Sequence, residues 1–384
     1  MWRFIRNTLL ILVLIIAGLA IWKREQLTRL VAVNSLFSAE KIVNNFSHMD
    51  SMFLTRPVSR GSGDISPLPA GPTMDLPDET GPWITDRSLT ALVVLKDGQI
   101  VAEQYFQGTA PEDLRISWSV AKSFLSALVG ILLDEGKIAS IDDPVTKYVP
   151  SLQGSAYENA SLRNVLNMSS GVEFDEDYLD FWSDINKMGR ILALGGSMDG
   201  FAADLNVSRV APGTDWQYVS IDTHVIGMVV RGATGRDVPD LLSEKLLAPL
   251  GLEAAPYYVT DGYGVAFVLG GLNMRTRDYA RFGQLFLQNG RWQDAQIIPE
   301  SWVEASTQPS APTQAGDTQY GFQWWIAADA PPGEYFARGV YGQYIYINQP
   351  KGVVIAVNSA DRKFREAGAF QQNLNAFRAI AEAL

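Results

Sequence analysis

The chain has 384 residues, 47% hydrophobic and 11% aromatic, which suits one large or two interleaved packed cores and excludes a disordered protein. A formal net charge of −11 with no block of Lys or Arg argues against nucleic acid as a partner. With no cysteine and only two histidines, His48 and His224, disulfides and thiolate chemistry are excluded, and neither a metal nor a cofactor is expected.

Met1 to Arg6 is basic, and Asn7 to Trp22 is an uncharged run of 16 residues followed by Lys23 and Arg24. Residues 1–24 therefore read as a membrane anchor, with Trp2, Trp22 and the basic residues at the interfaces. The alternative is a cleaved signal peptide with small Gly18 and Ala20 before the cut. Either implies export. Residues 25–82 read as a stem and linker, because Arg60-Gly61-Ser62-Gly63-Asp64 and Pro67, Pro69, Pro72 and Pro77 mark turns and extended chain.

Residues 83–384 read as one folded domain. Leu89 to Leu95 and Gln99 to Phe106 are strand-like and joined by Lys96-Asp97-Gly98, a hairpin signal. Val120 to Glu135 is helical by its apolar spacing at Val120, Phe124, Ala127, Leu128 and Ile131, with Gly136 as its stop. Ser161 to Gly171 reads as a helix running into a loop, Val172 to Trp182, rich in acids and aromatics. Further helices are expected over Ser220 to Val230, closed by Gly232 or Gly235, and over Arg277 to Gln288. Tyr341 to Asn348 and Gly352 to Asn358 read as a strand pair, and a last helix starts near Ala367. The fold class is α/β (α+β): an antiparallel sheet built from N- and C-terminal strands, flanked by helices, with a mostly helical region inserted at about 140–330.

The chemistry concentrates at Ser119-Val120-Ala121-Lys122. On a helix, Lys122 shares a face with Ser119, and a serine at the helix N-terminus lies among unpaired N–H groups at the positive end of the dipole. The same spacing recurs at Ser38-Ala39-Glu40-Lys41, which reads as polar stem. Neither Lys nor Tyr is basic at its ordinary pKa of about 10, so Ser119 and Lys122 need burial and a third group. Tyr218-Val219-Ser220 is the candidate, preceded by Pro212-Gly213-Thr214 and Trp216 and followed by a helix. The same pattern at Tyr157-Glu158-Asn159 and Tyr346-Ile347-Asn348 falls in a polar loop and a strand. His224 reads as structural, since no G-x-S-x-G elbow accompanies either histidine.

Ser119-Val120-Ala121-Lys122, Tyr218-Val219-Ser220 and Gly339-Val340-Tyr341-Gly342-Gln343, in that order, resemble the three active-site motifs of the class C β-lactamase and penicillin-binding-protein-like serine hydrolases. Within that superfamily the likeness is closest to the esterases and 6-aminohexanoate-oligomer hydrolases. It implies Ser119 as the acylated nucleophile, Lys122 as its proton acceptor or electrostatic partner, and Tyr218 as general acid and base. The backbone N–H groups of Ser119 and Val340 would form the oxyanion hole. Tyr178, in Glu176-Asp177-Tyr178, would contact substrate together with Ser220, Gly339 and Gln343. Asp175, Glu176, Asp177 and Asp180 read as a solvated acidic loop; lining the cleft instead, they would favour a substrate carrying an amine.

Where β-lactamases and peptidases of this type carry Lys-Thr-Gly or His-Thr-Gly, this chain has Ala337-Arg338-Gly339. The cation that grips a substrate carboxylate is missing, and Arg338 should point to the opposite strand face. The expected activity is cleavage of a small ester or amide through an acyl-serine. A β-lactamase or D-Ala-D-Ala carboxypeptidase, and a catalytically silent binding module, are the alternatives. The expected location is a bacterial inner membrane with the hydrolase domain in the periplasm.

Overall fold

Strands from the two ends of the chain meet in one antiparallel sheet, as the strand pattern predicts. The computed structural model describes residues 1–384, apart from the side chains of Leu19 and Ala20. β2 (Leu89–Lys96) and β3 (Gln99–Tyr105) form the expected hairpin, and its two turn residues Asp97 and Gly98 take φ of 48° and 79°. A turn of that hand follows the twist of the strands, and Gly98 adopts it without a Cβ clash. β11 (Glu334–Gly339), β12 (Gln343–Asn348) and β13 (Val353–Ser359) form a C-terminal meander, and β13 pairs with β2. With β9 (Gln319–Tyr320) and β10 (Trp325–Ile326) the order is β3-β2-β13-β12-β11-β10-β9. β12 and β13 are buried along their whole length because helices cover both faces, so their sequences are continuous apolar runs.

Seven helices position the rest. α1 (Trp2–Trp22) and α2 (Arg24–Asn34) open the chain; α3 (Ala121–Asp134) follows Ser119; α4 (Asp184–Leu194) follows the acidic loop. α5 (Ser220–Thr234) ends at Gly235, in the left-handed region at φ 67°, not at Gly232. α6 (Thr276–Leu287) packs on one sheet face, and α7 (Ala369–Glu382) covers the other with Trp83, whose Nε1 donates to Asn373 Oδ1 at 2.9 Å. α3 is central: twelve of its residues, Ala121 to Leu132, are buried, and Gly130 exists there because a Cβ would strike the Trp302 ring.

Three expectations change. The lead-in is not loose stem: Leu36, Ile42, Phe46, Met49, Met52 and Phe53 are buried in the main core. Its strand β1 (Leu54–Pro57) pairs with β5 (Tyr257–Thr260). The inserted region is also less helical than expected. β5 and β6 (Leu272–Met274) join β1 and β4 (Arg115–Ile116) in a four-stranded sheet ordered β1-β5-β6-β4, and β7 (Arg291–Trp292) and β8 (Ala295–Gln296) make a separate hairpin. Finally, among the described residues no helix is long and apolar enough to cross a membrane, so the expected anchor is not supported. The uncharged run of Asn7 to Trp22 rises only about 24 Å at 1.5 Å per residue, against a hydrocarbon core of about 30 Å.

Candidate active site

Ser119 sits in the single 3-10 turn, Trp118–Val120, that leads into α3, and Lys122 lies one turn on, 1% exposed. Trp118, immediately before the serine, is held at φ 42°, a left-handed conformation a bulky residue adopts only when its surroundings force it. Burial brings the Lys122 ammonium down to about 7, while the negative charges of Glu176 and Asp222 keep it from falling further. Its Nζ donates to the Ser220 carbonyl at 3.4 Å, a long bond, and lies 5.5 Å from the Tyr218 ring centroid.

Tyr218, from a distant part of the chain, has its ring centroid 5.5 Å from Lys122 Nζ, and the Ser119 and Ser220 hydroxyls act to lower the pKa of its phenol. Its ring is fixed by stacking on Trp325, centroids 5.3 Å apart. Burial and the charge of Glu176 push its pKa up, so the phenol stays protonated at neutral pH. Ser119, Lys122 and Tyr218 are thus brought together.

Two carboxylates the sequence reading did not assign frame this centre. Glu176 turns inward from the acidic loop and accepts from Ser220 N–H at 3.0 Å, from the Ser220 hydroxyl, and from Tyr178 Oη at 2.6 Å. It is half-buried, whereas Asp175, Asp177 and Asp180 are exposed. Asp175 and Asp180 accept from backbone N–H groups within the loop, and Asp177 pairs with Arg365 at 2.8 Å. Asp222, one turn into α5, accepts from Tyr157 Oη at 2.7 Å and Ser170 Oγ at 2.8 Å, and burial raises its carboxyl to about 7. Its Oδ2 is buried without a hydrogen-bond partner among the described residues. A short acid two residues inside an apolar helix was the available signal for Asp222. Nothing in the loop's composition separates Glu176 from its neighbours.

Gly339 ends β11 against the Ser117–Ser119 backbone. A Cβ there would lie 2.7 Å from Ser117 O and 3.1 Å from Ser119 N. The space in front of the Ser119 N–H is open only because residue 339 has no side chain. Outside the chain's own helices and strands, no backbone carbonyl among the described residues accepts from the Ser119 or Val340 N–H. Tyr341, after Val340, is also left-handed at φ 59°. Its ring stacks on Phe37 at 4.6 Å and lies 5.6 Å from Phe46 and 6.2 Å from Trp118. Two residues of the lead-in thereby clamp both strained positions beside the site.

Gln343 does not face substrate. It is buried, with Nε2 donating to Tyr341 O at 3.0 Å and Ser359 O at 2.8 Å and Oε1 accepting from Asn358 Nδ2 at 3.0 Å. Both ends of the amide are used in holding the Val340–Gly342 turn. Ala337 packs into the main core, while Arg338 lies over Phe370 at 4.8 Å and Trp325 at 5.7 Å, so the two side chains take opposite faces as expected. His224 is structural, its Nε2 2.8 Å from Asp199 Oδ1.

A cavity of about 320 Å³ opens in front of Ser119, bordered by Tyr178, Ser220, Val340 and Tyr341. Its far walls come from the lead-in and from α4. Among the described residues no cluster of His, Asp and Glu suited to a metal ion occurs.

A family model described as Beta-lactamase matches residues 85–376. The 6-aminohexanoate-dimer hydrolase of Paenarthrobacter ureafaciens is 32% identical over 284 residues, 70% of this chain and 72% of that one. A D-aminopeptidase of Brucella anthropi is 27% identical over 177 residues, 43% of this chain and 32% of its own. Among solved structures, a Bacillus anthracis protein described as a candidate 6-aminohexanoate-dimer hydrolase superposes with TM-score 0.81 at 25% identity, covering 90% of this chain and 95% of the other.

Proposed function

The chain belongs to the β-lactamase family and is a hydrolase of it, and from that premise we propose that it cleaves a small ester or amide through an acyl-serine on a Ser119-Lys122-Tyr218 centre. Neutral Lys122 Nζ takes the proton from the Ser119 hydroxyl as Oγ attacks the substrate carbonyl carbon. The carbonyl oxygen becomes an oxyanion held by the Ser119 and Val340 N–H groups. The Tyr218 phenol gives its proton to the leaving oxygen or nitrogen as that bond breaks, and Lys122 restores it. Water then adds to the acyl carbon, its proton passing to the same base, and the carboxylic acid leaves Ser119. The net change is one water added across one C–O or C–N bond.

The observation that carries this reading is the buried Lys122 amine, one turn after Ser119 and 5.5 Å from the Tyr218 ring, whose pKa burial brings to about 7. Intact-mass analysis after a fluorophosphonate tests it: one adduct is expected on the wild type and none on Ser119→Ala. An adduct that survives Ser119→Ala ends the assignment. Export is proposed alongside, on the order of basic then apolar residues in 1–24. A phosphatase fused after residue 384 that is active only in the cytoplasm would refute it.

A further inference from the structure

We propose that the cavity beside Ser119 is a binding channel for an unbranched, uncharged aliphatic chain of the substrate, of medium length. This rests on the serine-hydrolase reading above and adds the substrate class to it. The walls away from Ser119 are apolar: Val33, Phe53, Leu192, Phe267 and Leu269 all face the cavity. Val33 and Phe53 belong to the lead-in, outside the family-matched residues 85–376, so membership of the family does not dictate this wall. The lead-in is held in place by Arg29 Nε, which donates to Ala193 O of α4 at 3.0 Å.

Several polar groups on the lining are already committed, although among the described residues Asn34 and the Trp118 Nε1 are not. Asn186 Nδ2 donates to Tyr178 O at 3.0 Å and Asp180 O at 2.7 Å, and Arg190 donates to Phe181 O while lying 4.3 Å over the Phe181 ring. The hydroxyls of Tyr178 and Ser220 both donate to Glu176, and none of the cavity's lining residues is acidic. An ammonium at the end of a chain seated here would lose water and gain no carboxylate partner, whereas a methyl end loses nothing. Methylenes entering such a channel gain at each step.

α4 supplies an internal handle. Ile185, Asn186, Gly189 and Arg190 form its cavity-facing stripe, and a Cβ on Gly189 would meet nothing within 4 Å. Gly189→Phe puts a ring into the channel while replacing a poor helix former. Val33→Phe narrows the channel from the opposite wall.

The experiment measures kcat/KM for p-nitrophenyl acetate, butyrate, octanoate and 6-aminohexanoate, with fluorophosphonate labelling and Tm recorded for each protein. The wild type should favour octanoate over acetate by at least about tenfold, and octanoate over 6-aminohexanoate by more. In Gly189→Phe and in Val33→Phe, with wild-type Tm, the octanoate-to-acetate ratio should fall at least about fivefold. A flat chain-length profile in a wild type that labels at Ser119 overturns the channel and leaves the nucleophile standing. A steep profile unchanged in both variants places the chain elsewhere and also overturns it. Absence of labelling at Ser119 defeats the underlying serine reading instead, and the two failures are read from different signals.

Discussion

The carboxylate of Glu176 closes the N-terminus of α5 through Ser220, whose N–H donates to Oε2 at 3.0 Å and whose hydroxyl donates to Oε1. Unpaired N–H groups and the positive dipole end make that terminus a natural seat for an anion. The same carboxylate orients Tyr178 over the cavity and holds a negative charge near Lys122. Glu176→Gln keeps the shape and one acceptor but removes the charge. Turnover of an ester should fall about tenfold, and the acid limb of the pH profile should move to lower pH, because Glu176 raises the Lys122 pKa. A drop in activity with the limb unmoved would reduce Glu176 to a structural cap.

The pH dependence itself follows from Lys122. The base must be neutral, and burial brings its pKa to about 7. kcat/KM for a neutral ester should therefore rise with pH through about 7 and level off above it, the opposite sign from a centre needing an ammonium. Asp222→Asn, which keeps an acceptor for Tyr157 and Ser170, removes a second charge that supports the ammonium and should shift the rise to lower pH. A profile that falls through pH 7 would contradict the role given to Lys122.

Lys122→Ala and Tyr218→Phe should each lower p-nitrophenyl ester turnover at least about a hundredfold. Tyr218→Phe keeps the ring stacked on Trp325, so its Tm should stay close to the wild type. Near-normal turnover in either variant removes that residue from the mechanism.

Gly339→Ala tests the oxyanion site. The added methyl would meet Ser117 O at 2.7 Å and crowd Ser119 N at 3.1 Å, occupying the place an oxyanion needs. We expect kcat to fall at least about a hundredfold, the scale seen when an oxyanion donor is lost, and stability to fall by roughly 1–3 kcal/mol from the overpacked contact. Retained kcat in a folded Gly339→Ala protein would place the oxyanion elsewhere.

Penicillin G should be a poor substrate. Its carboxylate needs a cation on the site face of β11, where Ala337 stands, and the neighbouring Arg338 is drawn to Phe370 and Trp325 on the other face. Efficient β-lactam hydrolysis in a spectrophotometric assay would show that another cation serves.

The elements with strong periodicity were legible in the sequence, and so were the candidate residues of the central site. The β2–β3 hairpin, α3, α5, α6 and the β12–β13 pair lie within a few residues of their predicted bounds, because local patterning and turn chemistry determine them. Ser119, Lys122 and Tyr218 could be singled out because the chemistry restricts which residue types can serve. Burial of a polar side chain is a tertiary property, and there the reading failed. Glu176 and its acidic neighbours are identical in character along the chain, yet only Glu176 meets a helix terminus. Gln343 looked like a substrate contact and is a buried brace. Phe37 and Phe46 sat in a stretch read as stem, and their packing against Tyr341 joins residues some three hundred positions apart, which no local pattern marks.

The stretch from Val33 to Phe53 shapes the cavity without supplying a proton or an oxyanion donor to the reaction. Part of the cavity wall is consequently carried in a length of chain separate from Ser119, Lys122 and Tyr218. An engineer could exchange that stretch as a cassette, retuning which molecules enter while the reactive trio stays as it is. Such a graft must preserve the clamp of Phe37 and Phe46 on Tyr341 and Trp118 and the burial of Leu36, Ile42 and Met49 in the main core.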